Sequence, residues 1–288
     1  MNIIKKTSRR IIVLFSATMF LSGLIFFCIW QNNSIIISKF NYVSSKIPDE
    51  FNDFTIAHIS DLHNKMFGKN QARLLNKVKS ISPDIIVITG DLIDRRKYDL
   101  DTAIIFVSGA TKIAPVYYVS GNHESWSGKF SMIKEELIDR GVHIVDDTAF
   151  KLSRRNSSIH ILGLSDPDFL TSDYMDGTNT NKMKEQLSIW STNESFKILL
   201  SHRPELFDLY YQNNMDLIFT GHAHGGQVRI PGIGGLFAPD QGIFPKYTSG
   251  RYNKDLSTMF VSRGLGNSIC PLRIFNRPEI VEVKLNHS

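Results

Sequence analysis

Cysteine is scarce in this chain: two residues, Cys28 and Cys270, in 288. Cys28 lies inside an apolar run, so a Cys28–Cys270 disulfide is not expected, and no disulfide framework holds the fold together. No acidic residue occurs before Asp49, no repeat of fixed period is evident, and no Gly/Pro-rich linker breaks the chain between Ser34 and Ser288. A basic stripe with interleaved aromatics is also missing. The net charge of +5 and pI near 9.1 look like a nucleic-acid binder, but Lys5, Lys6, Arg9 and Arg10 supply four of those charges, and the remainder is near neutral. No nucleic-acid partner is therefore expected. Charged residues make up 21% and hydrophobic residues 42%, enough for a buried core and too apolar for disorder.

One long hydrophobic run is present. Ile11 to Trp30 carries no charge, and as a helix rising about 1.5 Å per residue it spans roughly 30 Å, the thickness of a bilayer core. Four cations precede it and none follows until Lys39, which places the N-terminus in the cytoplasm and the remainder outside. Bulky Phe26, Phe27, Cys28, Ile29 and Trp30 argue against a cleavage site, so an uncleaved anchor is expected ahead of a cleaved signal peptide or a buried soluble helix. The organisation reads as a cytoplasmic N-terminus (1–10), a transmembrane anchor (11–30), a short linker and leading strand (31–53) and a catalytic domain (54–288). The expected location is the cell (inner) membrane, single-pass, with the bilayer as partner and the domain extracytoplasmic.

Beyond the anchor, apolar and β-branched runs alternate with helical spacing. Strands are expected at Ser34–Tyr42, Phe54–Ser60, Asp84–Thr89, Pro115–Ser120, Ile159–Leu164, Phe196–Leu200 and Asp216–Thr220, and later at Met259–Val261 and Ile280–Leu285. Helices are expected over Asn70–Ile81, Asp101–Lys112, around Phe130–Leu137, around Met183–Trp190 and briefly after Pro204. The alternation implies a parallel-rich αβ sheet, and the last part looks antiparallel.

Five short stretches end in metal-binding side chains: Asp61-Leu-His63, Gly90-Asp91, Gly121-Asn-His-Glu124, Ser201-His202 and Gly221-His-Ala-His224. At least four directly follow strand-like runs, where a sheet presents side chains to a shared cleft. Asp61, His63, Asp91, Asn122, His202, His222 and His224 supply carboxylate, amide and imidazole donors suited to hard or borderline divalent ions. With Asp91 counted twice, they give four contacts to each of two ions and leave positions open for water and substrate. Singly, each stretch has an ordinary reading as a turn; five in this order do not. His58, His143 and His160 read as core or edge residues, and His287 as a tail residue without a role.

This pattern resembles the calcineurin-like metallophosphoesterase superfamily, whose blocks are Asp-x-His, Gly-Asp, Gly-Asn-His-Glu, a lone His and Gly-His-x-His. Gly221–Val228, Arg263-Gly-Leu-Gly266 and the Pro271–Ile280 tail look like the membrane-anchored bacterial phosphodiesterases, the UDP-2,3-diacylglucosamine pyrophosphatase-like type among them. The resemblance implies an α/β four-layer αββα sandwich of two mixed sheets. It assigns Asp61, His63, Asp91 and His224 to one ion and Asp91, Asn122, His202 and His222 to the other. His123 would stand beside the substrate, with Asn122 touching phosphate, and Asp91, Asn122 and His123 as the catalytic set. Ala223 departs from the Thr or Ser usual between the paired histidines.

The expected cofactors are two divalent ions (Mn, Fe, Zn or Ni, with Mn or Fe favoured). The expected activity is a phosphodiesterase, acting on a lipid-linked phosphodiester or pyrophosphate such as UDP-2,3-diacylglucosamine. Rival readings are a phosphomonoesterase, including a phosphoprotein phosphatase, and an inactive metal-binding scaffold. Residues Ile230–Tyr247 mix large apolar side chains with glycine and proline. They form either a loop packed on the domain or an apolar lip that meets lipid.

Overall fold

The structure, a computed structural model, describes residues 2–170, 179–268 and 271–288. Cys270 lies outside them, as do the side chains of Lys5, Lys6, Arg9 and Arg10. Cys28 is a free thiol.

The chain opens with α1 (Asn2–Asn33), followed closely by β1 (Ile36–Val43). Then come β2 (Thr55–Ile59), α2 (Ala72–Ile81), β3 (Ile85–Thr89), α3 (Asp101–Ala110), β4 (Val116–Val119), α4 (Asn122–Trp126), α5 (Phe130–Ile138) and β5 (Val142–Ile144). The second half runs β6 (Thr148–Arg154), β7 (Ser157–Gly163), α6 (Asn181–Ser191), β8 (Lys197–Leu200), α7 (Phe207–Gln212) and β9 (Leu217–Thr220). Two small ribbons follow: β10 (Arg229–Ile230) with β11 (Gly234–Gly235), and β12 (Phe237–Ala238) with β13 (Gly242–Ile243). The chain ends with β14 (Gly250–Lys254), β15 (Ser257–Val261) and β16 (Glu279–Asn286).

Two six-stranded sheets result, ordered β1-β16-β2-β3-β4-β5 and β14-β15-β9-β8-β7-β6. The expectation of an antiparallel C-terminal part holds only in part. β16 runs antiparallel to β2 but parallel to β1, and β15 runs parallel to β9 but antiparallel to β14. β16 lies between β1 and β2 and β15 between β9 and β14, and these largely long-range pairings set each sense where local sequence carries no trace of it.

Strand periodicity explains the layers. Along β3, Ile86 and Ile88 face one way, toward Leu74 and Val78 of α2 and Phe106 of α3. Ile85 and Val87 face the other way and meet Ile161 of β7, Ile198 of β8 and Phe219 of β9. The outer face of the second sheet packs Leu199 and Ile218 against Leu187 and Trp190 of α6 and Tyr210 of α7. Three apolar cores between four layers make the αββα sandwich. β2 and β3 are buried throughout, which is why β3 reads as a continuous apolar run rather than an alternating one.

His58, His143 and His160 lie on strands β2, β5 and β7, whereas His287 is tied back to the domain rather than hanging free. His58 is buried with Nε2 2.8 Å from Thr89 Oγ1, and His143 is on the edge strand β5, its ring stacked on Tyr117. His287, read as a tail residue without a role, lies with Nδ1 2.5 Å from the Ile47 carbonyl.

Asp146, just past β5, ties that strand to the end of β4 by accepting the Ser120 N–H at 2.9 Å. Burial pushes its carboxyl up from 3.8 to about 7. The folded chain therefore holds this proton more tightly than the unfolded chain, and stability falls as pH rises from about 4 through 7. Asp146→Asn keeps the acceptor and removes the titration. We expect it to raise the unfolding free energy, with a gain on the order of 2 kcal/mol larger at pH 8 than at pH 5, read from denaturant midpoints at the two pH values.

Candidate metal centre

All five stretches follow strands: Asp61 after β2, Asp91 after β3, Asn122 after β4, His202 after β8 and His222 after β9. Parallel neighbours end at the same edge, so the first sheet delivers Asp61, His63, Asp91 and Asn122 and the second delivers His202, His222 and His224 across the seam. Asp61, His63, Asp91, His222 and His224 all adopt positive φ, between 45° and 62°. Non-glycine residues avoid this region, at a cost on the order of 1 kcal/mol each. It turns side chains that would lie along the strand direction into one pocket.

The loops touch backbone to backbone. Gly121 leaves no room for a Cβ against Asp91 Oδ1 and the Asp91 amide nitrogen, and it is held there by Glu124. The Glu124 carboxylate accepts the N–H groups of Asp91 and Gly121 at 2.8 Å and of Ile93 at 3.2 Å, joining two donor loops through one buried group. Arg263–Gly266 braces the first loop. The Leu265 N–H donates to the Ser60 and Asp61 carbonyls, and a Cβ on Gly264 would fall 2.7 Å from Asp61 Cβ. Buried Arg273 holds that brace by donating to the Arg263 and Gly266 carbonyls. Asn276 donates to the His224 and Gln227 carbonyls and fixes the turn after the paired histidines.

The donor atoms form two groups that share Asp91. In the first, Asp61, His63, Asp91 and His224 place ligating atoms within 4.8 Å of one another. His63 Nε2 lies 3.1 Å from His224 Nε2 and 3.4 Å from Asp91 Oδ2, and His224 Nε2 lies 3.4 Å from Asp61 Oδ1. In the second, Asp91 joins His202 and His222. His202 Nε2 is 3.3 Å from Asp91 Oδ2, 3.0 Å from Asn122 Oδ1 and 3.1 Å from His222 Nδ1.

Tautomers test whether cations fit. His202 Nδ1 lies 2.7 Å from the Thr89 carbonyl, which can only accept, so Nδ1 carries a proton. His222 Nε2 lies 2.8 Å from the Asp240 carboxylate and carries one likewise. In the neutral rings the two remaining nitrogens, 3.1 Å apart, are both lone pairs in a buried pocket, which suits a cation between them. The electrostatics show the same demand for positive charge between the carboxylates, which without a cation falls on His202 as a second ring proton. Burial pushes Asp61 up to about 6, with the Asp91 charge adding to it. Desolvation opposes ionisation of Asp91, yet His202 and His123 hold it well below the usual range, and the Asp91 and Asp61 charges raise His202 to about 10 against its own burial. Burial lowers His63 to about 3 and His222 to about 4, leaving them neutral donors.

His123 belongs to neither group. Its ring packs edge-on against His63, and its Nδ1 receives the Arg95 N–H at 3.1 Å with Asp94 Oδ1 at 3.5 Å. Accepting at Nδ1 puts the proton of the neutral ring on Nε2. Burial lowers its pKa, but Asp91 and Asp94 raise it overall. A cleft of about 130 Å³ opens over these residues, lined by Asp91, Asn122, His123, His222 and His224 and rimmed by Arg95, Trp126 and Asp240. A larger cleft of about 710 Å³ lies between Lys46, Lys197, Tyr211 and Asp216 and carries none of these donors, so chemistry selects the smaller one.

Sequence reasoning missed the supporting residues. Arg203, next to His202 and fully buried, donates to Asp166 at 2.7 Å, Asp168 at 2.7 Å and Asp240 at 2.5 Å, and so holds the carboxylate that orients His222. Asp94, Asp166 and Asp240 sit in loops where a carboxylate is unremarkable. The one available signal was an arginine beside a candidate donor.

The family profile for calcineurin-like phosphoesterases matches residues 54–226. The uncharacterized metallophosphoesterase YkuE of Bacillus subtilis is 30% identical over 243 residues, covering 82% of this chain and 80% of that protein. The phosphodiesterase YaeI of Escherichia coli is 25% identical over 239 residues, covering 81% of this chain and 82% of its own. A transmembrane protein with metallophosphoesterase domain from Danio rerio is 25% identical and covers 84% of this chain, which spans 55% of that longer protein. With this match lying over the buried Asp/His cluster, the chain belongs to the calcineurin-like phosphoesterase family and is a metal-dependent phosphoester hydrolase.

Proposed function

We propose that the protein is a membrane-anchored binuclear phosphodiesterase. Asp61, His63, Asp91 and His224 hold one divalent ion, and Asp91, Asn122, His202 and His222 hold the other. The observation that carries this reading is the pair of donor groups meeting at Asp91 beneath a single cleft. Mixed oxygen and nitrogen donors suit Mn, Fe, Zn or Ni, and the Asn122 amide oxygen favours Mn or Fe. Two such ions supply Lewis-acid charge toward the phosphoryl oxygens and lower the pKa of water toward about 7.

The chain's own residues do the rest. His123 lines the cleft with the ring proton on Nε2 and donates a hydrogen bond from it to the departing oxygen, while the Asp94 carboxylate, 3.5 Å from Nδ1, favours positive charge on the ring. Arg95, stacked 4.2 Å over Trp126, stands at the rim to meet phosphoryl oxygens not engaged below. Glu124 and Arg203 carry no chemistry and keep Asp91 and His222 in place.

α1 contains an apolar stretch, Ile11–Asn33, long enough to cross a bilayer. Read as an uncleaved anchor with its basic end in the cytoplasm, it puts the hydrolase on the outer face of the cell membrane. Tethering there favours a membrane-borne substrate, a lipid-linked phosphodiester or pyrophosphate of which UDP-2,3-diacylglucosamine is one candidate. The name of YaeI supports diester over monoester.

Three outcomes test this. Asp91→Ala is expected to lose both ions and nearly all turnover, whereas Asp240→Asn, which only loosens His222, weakens one ion by roughly 10- to 100-fold. Metal analysis after graded chelation separates them, and equal loss from both variants argues against a shared Asp91. His123→Ala should keep full metal content and lower kcat on bis-p-nitrophenyl phosphate by about 10²- to 10⁴-fold; a wild-type rate removes His123 from the chemistry. A chain lacking residues 1–30 should hydrolyse that soluble diester normally and a diester embedded in vesicles more slowly. Equal rates on both would count against a membrane substrate.

A further inference from the structure

The end of α1 is built into the domain. Gln31 and Asn32 are buried, and Ser34 and Ile35 alone separate the helix from β1. Lys65 Nζ donates to the Asn32 carbonyl and Asn267 Nδ2 donates to Asn32 Oδ1 at 3.1 Å. Arg277 Nε donates to the Ser34 carbonyl at 3.0 Å, with its guanidinium 4.7 Å from the Trp30 ring centre. One turn earlier, Phe27 meets the Phe275 ring at 5.6 Å between centroids. Phe27 lies inside the apolar span, about 9 Å before Asn33 at 1.5 Å per residue. A domain residue packed on it therefore sits at bilayer depth, and the domain cannot swing freely on its anchor.

The same contact leads directly to a neighbouring apolar loop. Ile274, beside Phe275, bridges to Val228 and accepts the Arg229 N–H at 2.9 Å, so the ribbon that begins at β10 grows from this point. That ribbon exposes Ile233 (67%), Phe237 (49%), Ile243 (75%) and Phe244 (64%). Its inner side packs onto the domain through Ala238 and Tyr247, so the loop is both things the sequence allowed: seated inward and apolar outward. Pro239 and Asp240, between Phe237 and Ile243, line the cleft. Strand sense agrees: β1 starts beside the end of β2, because Ser38 pairs Val281 and Val281 pairs His58. α1 therefore enters at the edge where the donor residues emerge.

We propose that residues 230–247 and Phe275 form a membrane-seating surface that holds the catalytic edge against the lipid interface of the leaflet from which α1 emerges. The occupant is the bilayer itself, chosen because the patch is continuous with the span through Phe27–Phe275. The cleft then opens at headgroup level, and a phosphoester lipid reaches it by lateral diffusion with its chains still in the membrane. This last step rests on the phosphodiesterase reading; the seating does not.

The test uses the full chain in phosphatidylethanolamine/phosphatidylglycerol nanodiscs, in a Cys28→Ser, Cys270→Ser background. A spin label is placed through Phe244→Cys, Ile233→Cys or, at the far end of the sheets, Leu256→Cys, where the native residue is 82% exposed in the β14–β15 turn. Labels at 244 and 233 should be shielded from a water-soluble paramagnetic reagent and accessible to oxygen, with at least a 5-fold difference from 256. Equal water accessibility at all three positions overturns the proposal. A double variant, Ile243→Asp with Phe244→Asp, should release the 233 label into water and slow a vesicle-borne diester about 10-fold while sparing the soluble one; an unchanged 233 label also overturns it. If the labels are shielded but the wild-type chain cleaves neither diester, the seating stands and the functional reading fails.

Discussion

Asp91 faces two groups of donors at once, and the site depends on that double exposure. Its Oδ2 lies 3.4 Å from His63 Nε2 on one side and 3.3 Å from His202 Nε2 on the other. Its backbone is left-handed, and two of its neighbours across the pocket are carboxylate and imidazole groups equally removed from water. Such a cluster is unfavourable by itself, through strain, desolvation and repulsion between Asp61 and Asp91. It is tolerated because Glu124, Arg203 and Arg273 over-determine the loops and because positive charge at the centre reverses the sign of the repulsion. The folded scaffold bears a cost at this edge that binding of cations returns.

The sandwich makes the arrangement possible. The first sheet's ends supply Asp61, His63, Asp91 and Asn122 and the second sheet's supply His202, His222 and His224, so both donor groups are complete only while the two sheets stay packed. The core between them holds Val87, Tyr117 and Val119 against Ile161, Leu200 and Phe219, directly beneath the ends that carry the donors. Dense packing there sets the distance across the seam, and even a one-methylene change in that core would be felt.

Much of this was legible because strand ends carry their chemistry in short local strings. Asp61-Leu-His63 and Gly221-His-Ala-His224 need only a strand before them to be interpreted, and periodicity supplies it. What was illegible acts over long separations. Asp240 reaches His222 through a loop, Asp94 reaches His123 from another strand end, and β16 finds β1 across nearly the whole chain. The Arg263–Gly266 string was visible as a motif, but its job as a brace against Asp61 depends on backbone approach, which spacing does not encode. The apolar loop read two ways for a similar reason: composition cannot tell which side of a ribbon faces inward.

The two donor groups are not equally prepared, and the difference says how the site divides its work. In the second, both imidazoles are anchored at their distal nitrogens, by Thr89 and by Asp240, so their lone pairs are aimed in advance. In the first, His63 Nδ1 and His224 Nδ1 find no partner among the described residues, and the rings are held by packing, His63 between His123 at 4.5 Å and His224 at 4.8 Å. A ring held by contacts alone tilts more readily than one hydrogen-bonded at its distal nitrogen. Because His63 also packs against His123, any tilt is transmitted to a ring that lines the cleft. The more anchored half lies against Asn122, and the less anchored half lies beside His123.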